Sequence, residues 1–141
     1  MLIWRKQRAN ISKVSANKVA KIEYKTNVPI DAREIIELYR SANLPRPIDD
    51  QARTEKMFAN SNLVVSAWHN NELISISRSL TDFSWSCYLA DLAVRRDFQR
   101  AGVGKRLVEL TRKAVGENSM ALLLSVPDAL GYYPKIGMEK V

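Results

Sequence analysis

Cysteine and histidine are almost missing from this 141-residue chain, which holds only Cys87 and His69. One thiol cannot close an internal disulfide, and one thiol with one imidazole is no metal-ligand set, so no metal site is expected. Both residues read as structural, and a reducing, cytoplasmic setting fits. No apolar run approaches the roughly 20 residues needed to cross a bilayer, so no membrane span is expected. Glycine and proline are scarce, five of each, and no internal repeat or low-complexity segment occurs. What remains, 46% hydrophobic and 26% charged residues, is the composition of one globular domain with one core.

Acid is missing from one place in particular. Of the 22 Lys and Arg, six lie in residues 1–21 with no Asp or Glu, leaving 16 against all 15 acids in the rest of the chain. Six of the seven net positive charges therefore sit in an N-terminal arm. A nucleic-acid-binding face would spread its basic residues over a folded surface, so a nucleic-acid partner is not expected. Residues 1–18 read as a basic, flexible leader outside the fold, and residues 19–141 as a single domain. The leader has the composition of a disordered tail or an organellar transit peptide, but not the apolar centre of a secretory signal.

Along the domain, Val19 to Lys25 alternates as a first strand. Asp31 with Glu34 forms a capping box for a helix to about Ser41, with Ile35 and Leu38 facing inward. Pro45 and Pro47 break it, and Asp49 or Asp50 caps a second helix to about Asn60. Strands follow at Leu63 to His69 and Glu72 to Leu80 around the turn Asn70-Asn71, then at Ser84 to Val94 after a turn near Thr81-Asp82. A helix runs to about Val115, with Leu107, Val108, Leu110 and Val115 as its apolar stripe. A strand at Met120 to Val126, a short helix from Pro127-Asp128 carrying Tyr132 and Tyr133, and a last strand from Met138 complete the order. The fold class is α+β.

Between the long strand and the long helix lies Gln99-Arg100-Ala101-Gly102-Val103-Gly104-Lys105. The first turn of a helix has unpaired N–H groups and the positive end of the macrodipole, and glycines there let an anion approach the backbone closely. A Walker-type loop fails because Gly102 and Gly104 are one residue apart and Lys105 is followed by Arg106. A dinucleotide fingerprint fails because Leu107 stands where its third glycine is required. The surviving pattern, Gln/Arg-x-x-Gly-x-Gly/Ala after Leu92-Ala93-Val94, resembles the acetyl-CoA loop of the GNAT superfamily of N-acetyltransferases. About thirty residues on, Ala129-Leu130-Gly131-Tyr132-Tyr133-Pro134-Lys135-Ile136-Gly137-Met138 is similar to that family's second signature, with Tyr133 in the tyrosine slot.

The resemblance implies an acyl-CoA N-acyltransferase-like fold: a central mixed, mostly antiparallel sheet with a splayed parallel strand pair, flanked by helices. It implies an enzyme that moves an acetyl group from acetyl-CoA to a primary amine by direct attack in a ternary complex. A non-catalytic acyl-CoA-sensing module is the alternative. The backbone from Arg100 through Ala101, Gly102, Val103 and Gly104 to Lys105, with Gln99, would cradle the pyrophosphate. Main-chain groups of the Leu92-Ala93-Val94 segment would serve the acetyl carbonyl and pantetheine amides, and Tyr133 would protonate the departing thiolate. Pro134 departs from the signature, removes an N–H and loosens the helix there.

Asp91 is the nearest carboxylate that could take the amine's proton. By alternation it points away from Leu92 unless a bulge redirects it, and a water chain serves equally. The loop Asn43 to Asp50 and the turn near Phe83 would select the acceptor, with Phe83 and Trp85 as an apolar wall and Asp49 and Asp50 attracting a cationic amine. The chain ends four residues past Gly137, where the family usually continues, so an open sheet edge and homodimer pairing are expected.

Overall fold

The computed structural model describes residues 1–4 and 21–140. A seven-stranded mixed sheet is built from β1 (Leu2–Trp4), β2 (Glu23–Thr26), β3 (Leu63–His69), β4 (Glu72–Thr81), β5 (Ser86–Val94), β6 (Met120–Leu123) and β7 (Met138–Lys140), in the spatial order β2-β3-β4-β5-β6-β1-β7. Every pair is antiparallel except β5 with β6. Helices α1 (Ala32–Ser41) and α2 (Gln51–Ala59) cover one face, and α3 (Val103–Val115) covers the other.

Alternation along the strands divides the core. Leu63, Val65 and Ala67 of β3 meet Val103, Leu107 and Val115 of α3. Val64 between them meets Ile35, Leu38 and Tyr39 of α1. Asp31 caps α1 as expected, but its Oδ1 accepts from the Arg33 N–H at 2.8 Å rather than completing a box with Glu34. Asn70 and Asn71 both take positive φ, 49° and 62°, as the tight β3–β4 turn requires. The strand expected from Ser84 begins at Ser86, because Asp82 Oδ1 accepts from the N–H groups of Ser84, Trp85 and Ser86 and curls that segment into a turn.

The leader reading is corrected at its start. Leu2–Trp4 is a strand inside the sheet, antiparallel to both β6 and β7. The rest of the leader, and the strand start expected at Val19, lie outside the described residues. Leu2 is 1% exposed and packs with Leu89, Val108, Leu123, Tyr133, Ile136 and Met138, so the cluster that seats Tyr133 is closed by the second residue of the chain. Leu2→Ala is expected to cost about 2–5 kcal/mol of folding free energy, read from urea midpoints. A change below 0.5 kcal/mol would show that β1 contributes nothing to this core.

The short helix expected after Pro127 is two 3-10 turns, Pro127–Ala129 and Tyr133–Ile136. Pro134 has no N–H to extend an α-helical ladder, and the chain turns tightly to Gly137, whose φ is 88°. Among the described residues no helix is long and apolar enough to cross a membrane.

Candidate active site

The strands β5 and β6 share only three residue pairs, Ser86 with Met120, Cys87 with Ala121 and Tyr88 with Leu122. Beyond Tyr88, β5 continues to Val94 beside β4, while β6 ends at Leu123. A gap therefore opens between two parallel neighbours. The Arg95 N–H donates to the Ile74 carbonyl on β4 at 2.8 Å. By antiparallel alternation, the main-chain groups of Leu92 and Val94 point the other way, into the gap.

The loop that closes the top of the gap is held from both sides. Gln99 Nε2 donates to the Val94 carbonyl at 3.0 Å, tying the loop to the end of β5. One N–H of its side-chain amide thus anchors the loop, and the second stays available to the cradle. Arg100 and Gly102 both adopt left-handed backbone, with φ 61° and 80°, which re-aims successive N–H groups in the manner of an anion-binding nest. Gly102 is the N-cap of α3 and no side chain caps this helix, so the N–H groups of its first turn project into the loop unclaimed. A Cβ on Gly104 would come within 2.6 Å of Tyr132 Oη and 3.2 Å of Val94 Cγ2, so the helix start lies against both the β5 end and the second signature. Ala101 and Val103 anchor the loop in the α3 core, Arg100 is exposed and Lys105 half-buried.

Tyr133 is 8% exposed, and its ring meets Tyr132 edge-on with centroids 5.4 Å apart. Burial raises its pKa, with the nearby Arg46 guanidinium working against that and the Asp91 carboxylate adding to it. With its pKa raised, the hydroxyl keeps its proton through neutral pH. Among the described residues it makes no hydrogen bond. Burial pushes the Tyr132 hydroxyl up to about 12.

A β-bulge decides where Asp91 goes. The β4–β5 register pairs Ser79 with Leu89 but Arg78 with Asp91, leaving Ala90 unpaired. Cys87 and Leu89 point to the α3 side; without the bulge, Asp91 and Ala93 would follow them. Instead Leu92 and Val94 pack on the α3 side and Ala93 on the α1 side. Asp91 joins Ala93 there and is 1% exposed. Its Oδ1 accepts from Arg46 Nε at 2.5 Å, and its Oδ2 from Arg78 Nε at 2.5 Å and Tyr39 Oη at 2.8 Å. Burial alone would raise its pKa, but the Arg78 and Arg46 guanidiniums outweigh burial and hold it below the ordinary carboxylate range. A carboxylate so occupied is a poor proton acceptor. In place of the open base expected at this position, the geometry presents a carboxylate that anchors two arginines.

The sequence offers Tyr39 only as an inward-facing residue of its helix and Arg46 only as part of the acceptor loop, and it gives no role to Arg78. The available signal was Arg78 itself, a charge in an otherwise buried central strand that requires a buried counter-charge. Arg46 and Pro47, from the expected acceptor loop, line a cleft at the mouth of the gap together with Tyr88, Ala90 and Leu124. The other expected acceptor groups stand elsewhere. Phe83 and Trp85 are exposed outside the cleft, Asp50 caps α2 through the Arg53 N–H at 2.9 Å, and Asp49 does not line it.

A model of the acetyltransferase (GNAT) family matches residues 32–138. An uncharacterized N-acetyltransferase, ycf52, from Pyropia yezoensis is 27% identical over 132 residues, covering 85% of this chain and 74% of its own. A protein of unknown function from meticillin-resistant Staphylococcus aureus shares the fold with a TM-score of 0.72 at 20% identity, over 82% of this chain and 88% of its own. An aminoglycoside N-acetyltransferase in complex with CoA superimposes with a TM-score of 0.66 at 14% identity, over 84% and 88% of the two chains.

Proposed function

From the premise that this chain belongs to the acetyltransferase (GNAT) family, which transfers acetyl groups from acyl-CoA, we propose that it acetylates a primary amine by direct attack within a ternary complex. The observation that carries this reading is the uncapped, glycine-opened start of α3 beside the gap where β5 and β6 part. Its unclaimed N–H groups and left-handed Gly102 fit a diphosphate, and the CoA seen on the related fold supports that occupant.

Acetyl-CoA, when bound, supplies the acetyl group as an activated thioester. The N–H groups from Arg100 to Lys105 hold its diphosphate. Main-chain donors of Leu92 and Val94, facing the gap, orient the carbonyl and meet the negative charge that develops on its oxygen. As the N–C bond forms and the C–S bond breaks, the Tyr133 hydroxyl gives its proton to sulfur and recovers one from solvent. The amine's own proton leaves to water. An ammonium in the cleft faces Arg46, Arg53 and Arg78, and like charge lowers its pKa, so the neutral, attacking form gains population without a dedicated base. Asp91 acts as a positioning residue for Arg46 and Arg78.

Calorimetry with acetyl-CoA tests the cradle. Wild-type protein is expected to bind it. Gly102→Ala adds a side chain in open space but at φ 80°, where an L-residue is strained by roughly 1–2 kcal/mol. A loop that relaxes must be returned on binding, so affinity is expected to fall about 5- to 30-fold. Absence of binding heat from the wild type at millimolar acetyl-CoA overturns the reading.

A further inference from the structure

The cleft at the mouth of the β5/β6 gap has a volume of about 630 Å3, and every charged side chain lining it is an arginine: Arg46, Arg53 and Arg78. Asp91 behind them neutralises one of the three, which leaves two positive charges unbalanced on the walls. Two acids of the α2 segment are engaged elsewhere: Asp50 caps α2, and Glu55 accepts from Gln51 and lines a separate cavity.

The three guanidiniums differ in freedom. Arg78 is seated by Asp91 and by Ser61 Oγ at 3.0 Å, with its plane over Phe58. Arg46 spends three of its five N–H donors on Asp91, the Pro45 carbonyl and the Ala90 carbonyl, so it is rigid with donors left over. Arg53 is exposed on α2, and its side chain has no hydrogen bond or ion pair among the described residues. A fixed guanidinium and a free one lining the same cleft can both meet a carboxylate held there. The remaining wall is apolar, with Leu80, Tyr88 and Leu124 all partly exposed.

Resting on the acyl-transfer reading, we infer that the acceptor is a primary amine that also carries a carboxylate and an apolar body, an amino acid with an apolar side chain. Arg53 and Arg46 take its carboxylate, and the Leu80–Tyr88–Leu124 wall takes its side chain. The same positive field that draws the carboxylate disfavours the ammonium form of the attacking nitrogen. Diamines and polyamines, which would bring a second cation to the arginines, are poor acceptors.

A matched pair isolates the carboxylate. L-Phenylalanine and phenethylamine differ by that group alone, and thiol release from acetyl-CoA is expected to favour phenylalanine by at least about tenfold in kcat/KM. Arg53→Ala, a surface helix substitution, is expected to shrink that ratio below about threefold through KM, and Arg53→Glu to reverse it. Binding gives a readout that needs no turnover. N-acetyl-L-phenylalanine is expected to bind the CoA-loaded protein at least about tenfold more tightly than N-acetylphenethylamine, and Arg53→Ala to erase the difference. Equal binding of the two, or a ratio untouched by Arg53→Ala, overturns the carboxylate subsite. Discrimination in binding with no acetylation of any amine leaves the subsite standing and overturns acyl transfer instead.

Discussion

Replacing Tyr133 with Phe is expected to lower thiol release from acetyl-CoA by about 10²–10⁴-fold while calorimetric affinity for acetyl-CoA stays within about twofold. The substitution keeps the ring, and the ring is what packs with Leu2, Val108, Ile136 and Met138, so the fold loses little. What disappears is a hydroxyl that makes no hydrogen bond among the described residues and is proposed to give its proton to the leaving sulfur. Proton transfer from a phenol near pKa 10 to a thiolate near 8.5 is uphill by roughly 2 kcal/mol in water. Burial pushes the Tyr133 pKa further up, but a thiolate expelled into the same desolvated gap is raised as well, so the two remain matched. The sign of the pH effect follows. Tyr133 acts in its protonated form, so wild-type turnover should lose this contribution only above about pH 10, and the Phe variant should lack that alkaline decline. Turnover unchanged within threefold removes Tyr133 from the chemistry and leaves it a core residue.

Asp91→Asn is expected to cost about 3–5 kcal/mol of folding free energy. That is a large share of the 5–15 kcal/mol that holds a typical domain together. The amide keeps the shape but removes the charge against which Arg46 and Arg78 are buried, and an amide nitrogen facing either Nε at 2.5 Å would set donor against donor. The loss has a pH signature. The folded-state pKa of Asp91 is depressed, so its contribution is complete above the unfolded value of about 3.9 and is lost as pH falls through the folded value. Wild-type stability should therefore drop below about pH 4, where the Asn variant should lack this share of the drop. Urea titrations of both proteins at pH 7 and stepwise down to about pH 2 measure it. A difference in stability that persists undiminished far below pH 4 would assign the effect to shape rather than charge. Because the loop proposed to hold CoA packs on the α3 side of the sheet, away from the Asp91 cluster, a folded Asn variant should still bind acetyl-CoA.

The local parts of this protein were legible from the chain itself. A glycine-opened helix start at Gly102, a turn of two asparagines at positive φ and an Asp31-capped α1 each depend on a few neighbouring residues. Their conformations follow from sterics and unpaired N–H groups that any structure would have to satisfy. The two signatures are of this kind, so the family and the location of the gap followed from them.

Tertiary structure alone decided the rest, because it depends on pairing between distant segments. Leu2–Trp4 is too short to show a period, and its place between β6 and β7 is set by partners at Leu122–Leu123 and Met138–Lys140. The face that Asp91 takes depends on Ala90 being skipped in the β4–β5 register, and its character on Arg46, 45 residues away. A carboxylate read from the strand as a free base becomes the anchor of two guanidiniums once a one-residue offset rotates it to the other side of the sheet. The acidic lure expected at Asp49 and Asp50 gave way to an arginine-lined cleft for a similar reason: capping α2 claims Asp50, and the β4 arginine is paired with Asp91 from the neighbouring strand. Backbone chemistry is written in short windows of sequence; the sign of the field in a cleft is written by which strands lie side by side.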